Sequence, residues 1–476
     1  MSRHDDGSII TRITPIFITK MNKLRKALAL FTVTVSLFTL TADPLFSFDV
    51  PSREIEDDAY IRTSLVDSWF TEVPERVLAK RPEHYQLRGG GQVQVRVETS
   101  PRNREEFAIV LARGQNGNFS SWNQGSWSLI RRRDNGLRGS RIQVFLRSDF
   151  NTYIQFRPFS DERSFMDVVI YNAHVIRSLP LPIPFERLYV TPLEVVLASV
   201  EGLFPRHYFD PEPGRYRDSM AFISSVRARL PELSFVDDGA VDENGEFVFI
   251  NTLMPQDLSA QGRGGVNCSG FAKWVVDGIL RPITGERLPI APLKEPFGDR
   301  GFSYIEAWEE LRDPFFGLDW NRNLASRAWA VLRSASHSSL EEIEVRGVPF
   351  SRLTMRQASD GSNITHPAFT ENSGFASEAL LPLLYTLAVD EPGRIYLAAV
   401  NNELGLPVTQ VNPRGIPRMR QYYHVAVLVP FFNERGTFQI VVFESAAETS
   451  FMRFVSRYPG ESVNLVRIPV ENRFDP

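Results

Sequence analysis

The period at which apolar residues recur changes along this chain, and that change limits the folds open to it more than any other feature. From Gly89 to about Ile176 the period is two. Gln92-Val-Gln-Val-Arg-Val-Glu98 alternates strictly, Ile142-Gln-Val-Phe-Leu146 and Tyr153-Ile-Gln-Phe156 alternate again, and Phe107-Ala-Ile-Val-Leu111 is a short apolar run. Such alternation predicts strands that bury one face. Asp134-Asn-Gly136, between Ser128-Leu-Ile130 and Arg141, predicts a hairpin turn. The expectation is a small all-β, sandwich-like domain. After a Pro-rich connector, Ser178 to Pro184, the spacing becomes helical. Thr191-Pro-Leu-Glu194 reads as a capping box with Pro at the first helical position, and Tyr216 to Leu230 repeats at helical spacing.

A chain of 476 residues exceeds one ordinary core. Residues 1–48 read as leader and signal peptide, 49–180 as the β-rich part and 185–476 as an α+β domain. The apolar fraction of 43% and formal net charge of -4 argue against a disordered polyelectrolyte and against a nucleic-acid binder. Arg131-Arg-Arg133, with Arg138 and Arg141, reads as a charged hairpin edge or as a patch for an anionic polymer. Trp122 and Trp127 read as core or loop anchors, or as platforms for sugars.

Near the start, Met21-Asn-Lys-Leu-Arg-Lys26 is basic and Ala27 to Ala42 is uncharged and mostly apolar. That is a secretory signal pattern, and the run is shorter than the ~20 residues that span a bilayer. The expected protein is periplasmic or extracellular, with no stable membrane span after signal removal. A single cysteine in an exported chain forms no internal disulfide, so Cys268 is either an inert buried thiol or a reactive one.

Its context favours reactivity. In Arg263-Gly-Gly-Val-Asn-Cys-Ser-Gly-Phe-Ala-Lys-Trp-Val-Val-Asp-Gly-Ile279, Asn267 is a suitable N-cap, and Cys268 opens an amphipathic helix with Phe271, Val275 and Ile279 on one face. A helix N-terminus favours the thiolate, the small neighbours Ser269 and Gly270 leave room for substrate, and the Cys268 amide is placed to hold an oxyanion. Among the seven histidines, His424 lies near the start of the strand pattern Tyr422-Tyr-His-Val-Ala-Val-Leu-Val429. The next strand pattern ends in Glu444, a carboxylate able to orient the second imidazole nitrogen. His366, in Asn363-Ile-Thr-His-Pro367, is a rival base on a loop. One cysteine without a His-x-x-His or Glu-x-x-His pair gives no support to a metal site, and no phosphate loop occurs, so no cofactor is expected.

The segment Gly-Gly-Val-Asn-Cys-Ser-Gly-Phe resembles the cysteine helix of the NlpC-type cell-wall peptidases, a papain-like family acting mainly on peptidoglycan stem peptides. Pro392-Gly-Arg-Ile-Tyr-Leu397 is similar to that family's first strand, and His424-Val-Ala-Val427 to its histidine strand. The resemblance covers about a third of the chain. It implies a papain-like α+β hydrolase with Cys268 as nucleophile, His424 as base and Glu444 as third residue, and with residues 281–390 as a large insertion. Asn267, Arg394, Ala426 and Glu444 depart from the family's usual residues, and its upstream tyrosine is not located.

The implied substrate is a peptide or amide bond in peptidoglycan, with Tyr422, Tyr423, Arg418 and Arg420 as contacts beside Ser269 and Gly270. Two other readings stay open: a catalytically silent envelope binding protein, and a Cys–His amidase or acyltransferase on another substrate. Export is expected to remove the segment Met21 to Ala42. N-terminal sequencing after cell fractionation checks this, and a cytoplasmic protein retaining Met21 contradicts it.

Overall fold

The computed structural model describes residues 57–476 apart from 102, 135–138, 213, 262, 299–312, 335–337, 348–351, 358–362, 368, 371–372, 402–421 and 471. The signal segment, the turn residues Asn135 and Gly136, and Arg138, Arg418 and Arg420 lie outside the described residues.

The alternating region forms eight antiparallel strands, each paired with its sequence neighbour. They are β1 (Glu83–Gln86), β2 (Gln92–Ser100), β3 (Asn103–Arg113), β4 (Trp127–Arg132), β5 (Gly139–Val144), β6 (Tyr153–Pro158), β7 (Ser164–Ile170) and β8 (Ala173–Leu181). Where the sequence suggests a sandwich, the hydrogen bonding is that of one continuous meander, because successive strands joined by hairpins pair with each other. The apolar members of the alternation, among them Val93, Val95, Ile109, Leu129, Ile142, Ile154 and Val168, face one core. Ser178 to Leu181, read as connector, completes β8; Pro180 is tolerated there because β8 is an edge strand.

Helix α1 (Ala59–Leu65) runs into a π turn, Val66–Phe70, and drives Trp69 and Phe70 against the meander, with the Phe70 ring 5.3 Å from that of Trp127. Trp127 is thus a core residue, while Trp122 is exposed and edge-on to Phe150. Arg131 is no surface charge either. It is 0% exposed, and its Nη1 donates to the Glu72 carbonyl at 2.8 Å. Arg141 pairs with Glu106 at 2.8 Å.

The capping box at Thr191 does not form. The short helix Leu193–Ala198 starts after Pro192, and the Leu193 amide donates to Asp57 Oδ2 at 2.7 Å, while the Thr191 hydroxyl turns back to the Arg187 carbonyl. Asp57 also pairs with the buried Arg62, so a residue just before α1 does the capping.

The second half is a six-stranded antiparallel sheet in the order β9 (Phe375–Ala376), β14 (Ser462–Pro469), β10 (Arg394–Asn401), β11 (Tyr422–Phe432), β12 (Phe438–Glu444) and β13 (Ala447–Ser450). Strands β10 and β11 are nearly continuously apolar because helices cover them. The helices that pack on β11 are α2 (Arg217–Arg229), α3 (Cys268–Thr284), α4 (Phe316–Leu332) and α5 (Leu380–Asp390); α6 (Phe451–Arg457) packs on β12 and β13. The class is therefore α+β. The segment 281–390 is no appendage, since it supplies α4 and α5. The two sheets share one apolar core, with Tyr171 at the end of β7 lying 5.5 Å from Tyr385 and 6.0 Å from Phe438 between ring centroids.

Helix α3 forms as its sequence predicts. Asn267 Oδ1 accepts the Gly270 amide at 2.8 Å, Phe271, Val275 and Ile279 are buried, and Gly285 closes the helix at φ +78°. Its first turn rests on the short strand Gly239–Val241, whose Gly239 carbonyl accepts the Asn267 amide at 2.9 Å. A Cβ on Gly270 would sit 2.0 Å from that same carbonyl oxygen. Gly270→Ala is expected to destabilise the fold by about 3 kcal/mol, the upper end of the usual overpacking cost. Thermal or urea unfolding of the variant checks this, and an unchanged midpoint contradicts the packing.

Candidate active site

Three elements converge on the sulfur. The first turn of α3 presents Cys268, which is half-buried. Strand β11 begins with an irregularity: Val400 pairs with His424 but Asn401 pairs with Tyr422, which leaves Tyr423 as the extra residue of a bulge. The bulge is held from outside the sheet by the Tyr422 amide, which donates to the Pro314 carbonyl at 2.8 Å. Gly317 of α4 has no Cβ to keep the Tyr422 carbonyl away. Strand β12 ends at Glu444, and the reversal into β13 runs through Ser445 and Ala446 at φ +47° and +64°, a left-handed pair that turns the chain directly behind the carboxylate.

His424 Nε2 and Glu444 Oε2 are 2.7 Å apart. With Nε2 facing the carboxylate, Nδ1 is the nitrogen left for Cys268, whose thiol His424 influences electrostatically. The other oxygen of Glu444 pairs with Arg457 at the end of α6. The thiol also lies 3.9 Å from the Tyr423 carbonyl and 4.0 Å from Ser269 Oγ.

The electrostatics of the triad are a contest between burial and partners. Burial pushes the Cys268 thiol up, but its interaction with the His424 imidazolium outweighs this and leaves the thiol below its ordinary value. Burial pushes His424 down, yet its bonds to Cys268 and Glu444 raise it to about 9. Burial raises Glu444, and His424 and Arg457 together bring it below the usual carboxylate range. These shifts all favour the charged forms, a thiolate, an imidazolium and a carboxylate in a row, over the neutral ones. The dipole of the 17-residue helix α3 adds to the stabilisation of the thiolate.

Not every residue singled out in the sequence faces this site. Ser269 has its Oγ beside the sulfur, but it is 3% exposed and its carbonyl accepts the Trp320 indole N–H at 2.9 Å, so it anchors α4 to α3 rather than contacting a substrate. Gly270 faces the strand Gly239–Val241, where its missing side chain permits helix packing and leaves no cleft for substrate. Tyr422, 1% exposed, packs with Phe315, Leu318 and Ala399 away from solvent. Tyr423 is partly exposed beside His424 and Tyr458. His366 lies on a strand, Asn363–Pro367, in a hairpin whose other strand, Arg352–Gln357, packs beside β8. Among the described residues no group of three or more His, Cys, Asp or Glu is arranged to hold a metal ion.

Arg457 and Tyr458 did not stand out in the sequence. Phe451, Phe454 and Tyr458 repeat at helical spacing, which announces α6, but nothing in that spacing says that the last turn meets the end of β12.

As the only cysteine, Cys268 can be followed by alkylation without background. Labelling by iodoacetamide is expected to be appreciable near pH ~6 and to rise again as His424 loses its proton near pH 9. His424→Ala should slow the reaction near pH ~6 on the order of tenfold or more, and His366→Ala should not. Labelling only after denaturation would contradict the thiolate. Residues 51–208 match a family model described as a domain of unknown function (DUF8515), a span that takes in α1, the eight-stranded sheet and the short helix Leu193–Ala198. No curated protein and no solved structure matches the chain.

Proposed function

We propose that the chain is an exported cysteine hydrolase that cleaves a peptide or amide bond, with peptidoglycan stem peptides as its substrate. The observation that carries this reading is His424, held at 2.7 Å from Glu444 and interacting electrostatically with the Cys268 thiol. A nucleophile, a base and an orienting carboxylate in that relation are what acyl transfer through a thiol requires. The resemblance of the cysteine helix to NlpC-type peptidases and the signal pattern at Met21 to Ala42 support the substrate and the location.

In this mechanism the Cys268 thiolate attacks the carbonyl carbon, and the carbonyl oxygen gathers the negative charge. The cap of α3 uses the Gly270 and Phe271 amides, so the Cys268 and Ser269 amides are the first-turn donors left for that oxyanion. As the carbon–nitrogen bond breaks, the His424 imidazolium gives its Nδ1 proton to the leaving amine. The neutral imidazole then takes a proton from water, and the hydroxide attacks the thioester. The acid departs and the thiolate returns beside a fresh imidazolium. Glu444 stays ionised and keeps the ring in one orientation and tautomer.

Incubation of the full-length protein with purified peptidoglycan, followed by analysis of released muropeptides, tests the proposal. Wild type is expected to release products and Cys268→Ala none. Glu444→Gln, which keeps the shape and a hydrogen-bond acceptor, should retain more activity than Cys268→Ala, at roughly 10²-fold below wild type. Tight binding without release would instead identify an envelope binding protein, and turnover only with a second acceptor an acyltransferase.

A further inference from the structure

Each oxygen of Glu444 has its own cationic partner. Oε2 meets His424 Nε2 at 2.7 Å, and Oε1 meets Arg457 Nη2. We infer that Arg457 is a positioning residue of the site: its guanidinium holds one oxygen of Glu444 so that the other stays aimed at His424, and its charge moderates the field of that carboxylate at the imidazolium. The inference rests on the Cys–His–Glu reading above and deepens it.

The geometry around Arg457 favours this role. Helix α6 is fixed at its start by Ser450, whose Oγ accepts the Arg453 amide at 3.2 Å, and by Phe454, which is fully buried. The guanidinium lies 5.9 Å from the Phe454 ring centroid and 5.4 Å from that of Tyr458, so two aromatic faces support it where it meets the carboxylate. The Arg457 side chain is 41% exposed, against 8% for Glu444, which sets the solvent-facing cation behind the buried anion. A carboxylate held by one partner alone is free to rotate about its last torsion; two partners on its two oxygens remove that freedom.

Among the described residues, the charged and titratable groups that bear on Glu444 are few. His424 faces it from β11, Arg457 from the last turn of α6 and Tyr458 from just beyond it, and Cys268 of α3 lies beyond the imidazole. Glu448 on β13 is tied to Arg227 at 2.7 Å. Tyr423 faces Arg457 from the bulge. Removing a cation raises the pKa of every group near it, whether acid or base. Loss of Arg457 therefore shifts the thiolate-forming inflection and the imidazolium-losing inflection in the same direction, upward.

The test is the pH profile of Cys268 alkylation in the full chain, read for both inflections. Arg457→Ala is expected to move both upward by about 0.5–1 pH unit, the exposure of the guanidinium keeping the effect at the low end of an ion pair's range. Arg457→Lys keeps the charge and should leave both inflections in place, while peptide-bond hydrolysis falls because the planar guanidinium that lies over the Phe454 and Tyr458 rings and reaches Oε1 is lost. If Arg457→Ala fails to fold, Arg457→Gln, which keeps the stem over the rings, carries the same expectation. Inflections of a folded neutral variant that coincide with those of wild type overturn the inference and leave the Cys–His–Glu reading standing. A wild-type profile with one inflection at an ordinary thiol value overturns both.

Discussion

The contact on which the site depends is the seat of the cysteine helix on the strand Gly239–Val241. One carbonyl, that of Gly239, accepts the Asn267 amide and lies where a side chain at position 270 would be. The N-cap, the missing Cβ and the strand carbonyl together fix the height and rotation of the first helical turn. That turn carries the sulfur, so its approach to β11 is set before His424 or Glu444 is considered. Backbone donors and close packing provide the stiffness that a reactive group needs from its support.

Burial and charge then act against each other at the same atoms. Taken alone, the partly enclosed position of Cys268 and His424 would favour a neutral thiol and a neutral imidazole. The row Cys268, His424, Glu444, Arg457 alternates in sign, and each member stabilises the charge of the next. A low local dielectric strengthens these interactions as much as it penalises an unpaired charge. The site is a coupled system, in which removing one member changes the ionisation of the others.

The rest of the molecule explains why the site is so far from local in sequence. Helix α4 comes from the segment between the cysteine helix and the sheet, and it locks onto both: Trp320 binds the Ser269 carbonyl, and Gly317 admits the Tyr422 carbonyl. The same helix therefore holds the sulfur side and the imidazole side. The eight-stranded meander joins the core through Tyr171, Tyr385 and Phe438, and the Arg147 guanidinium reaches the Gly436 carbonyl. The residues of the site thus rest on one continuous interior.

The sequence by itself determined what depends on neighbours along the chain. Period-two alternation located β2, β5 and β6 of the meander, a short apolar run located β3, Asn267 and the spacing of Phe271, Val275 and Ile279 located the cysteine helix, and the strand patterns around His424 and Glu444 located β11 and β12. The cysteine, the histidine and the carboxylate were legible because each sits at the end of such an element. Tertiary structure decided the rest. It moved the cap at Thr191 to Asp57, and it turned the Pro-rich connector into an edge strand. Tyr422 passed from the cleft to the interior because a one-residue bulge breaks alternation, and alternation is all that a strand's sequence encodes about its faces. Arg457 joined the site because the turn through Ser445 and Ala446 and the docking of α6 bring it back to Glu444. A local pattern specifies the direction of a side chain within its own element; which partner it meets is set by packing between elements, and that is a property of the folded chain alone.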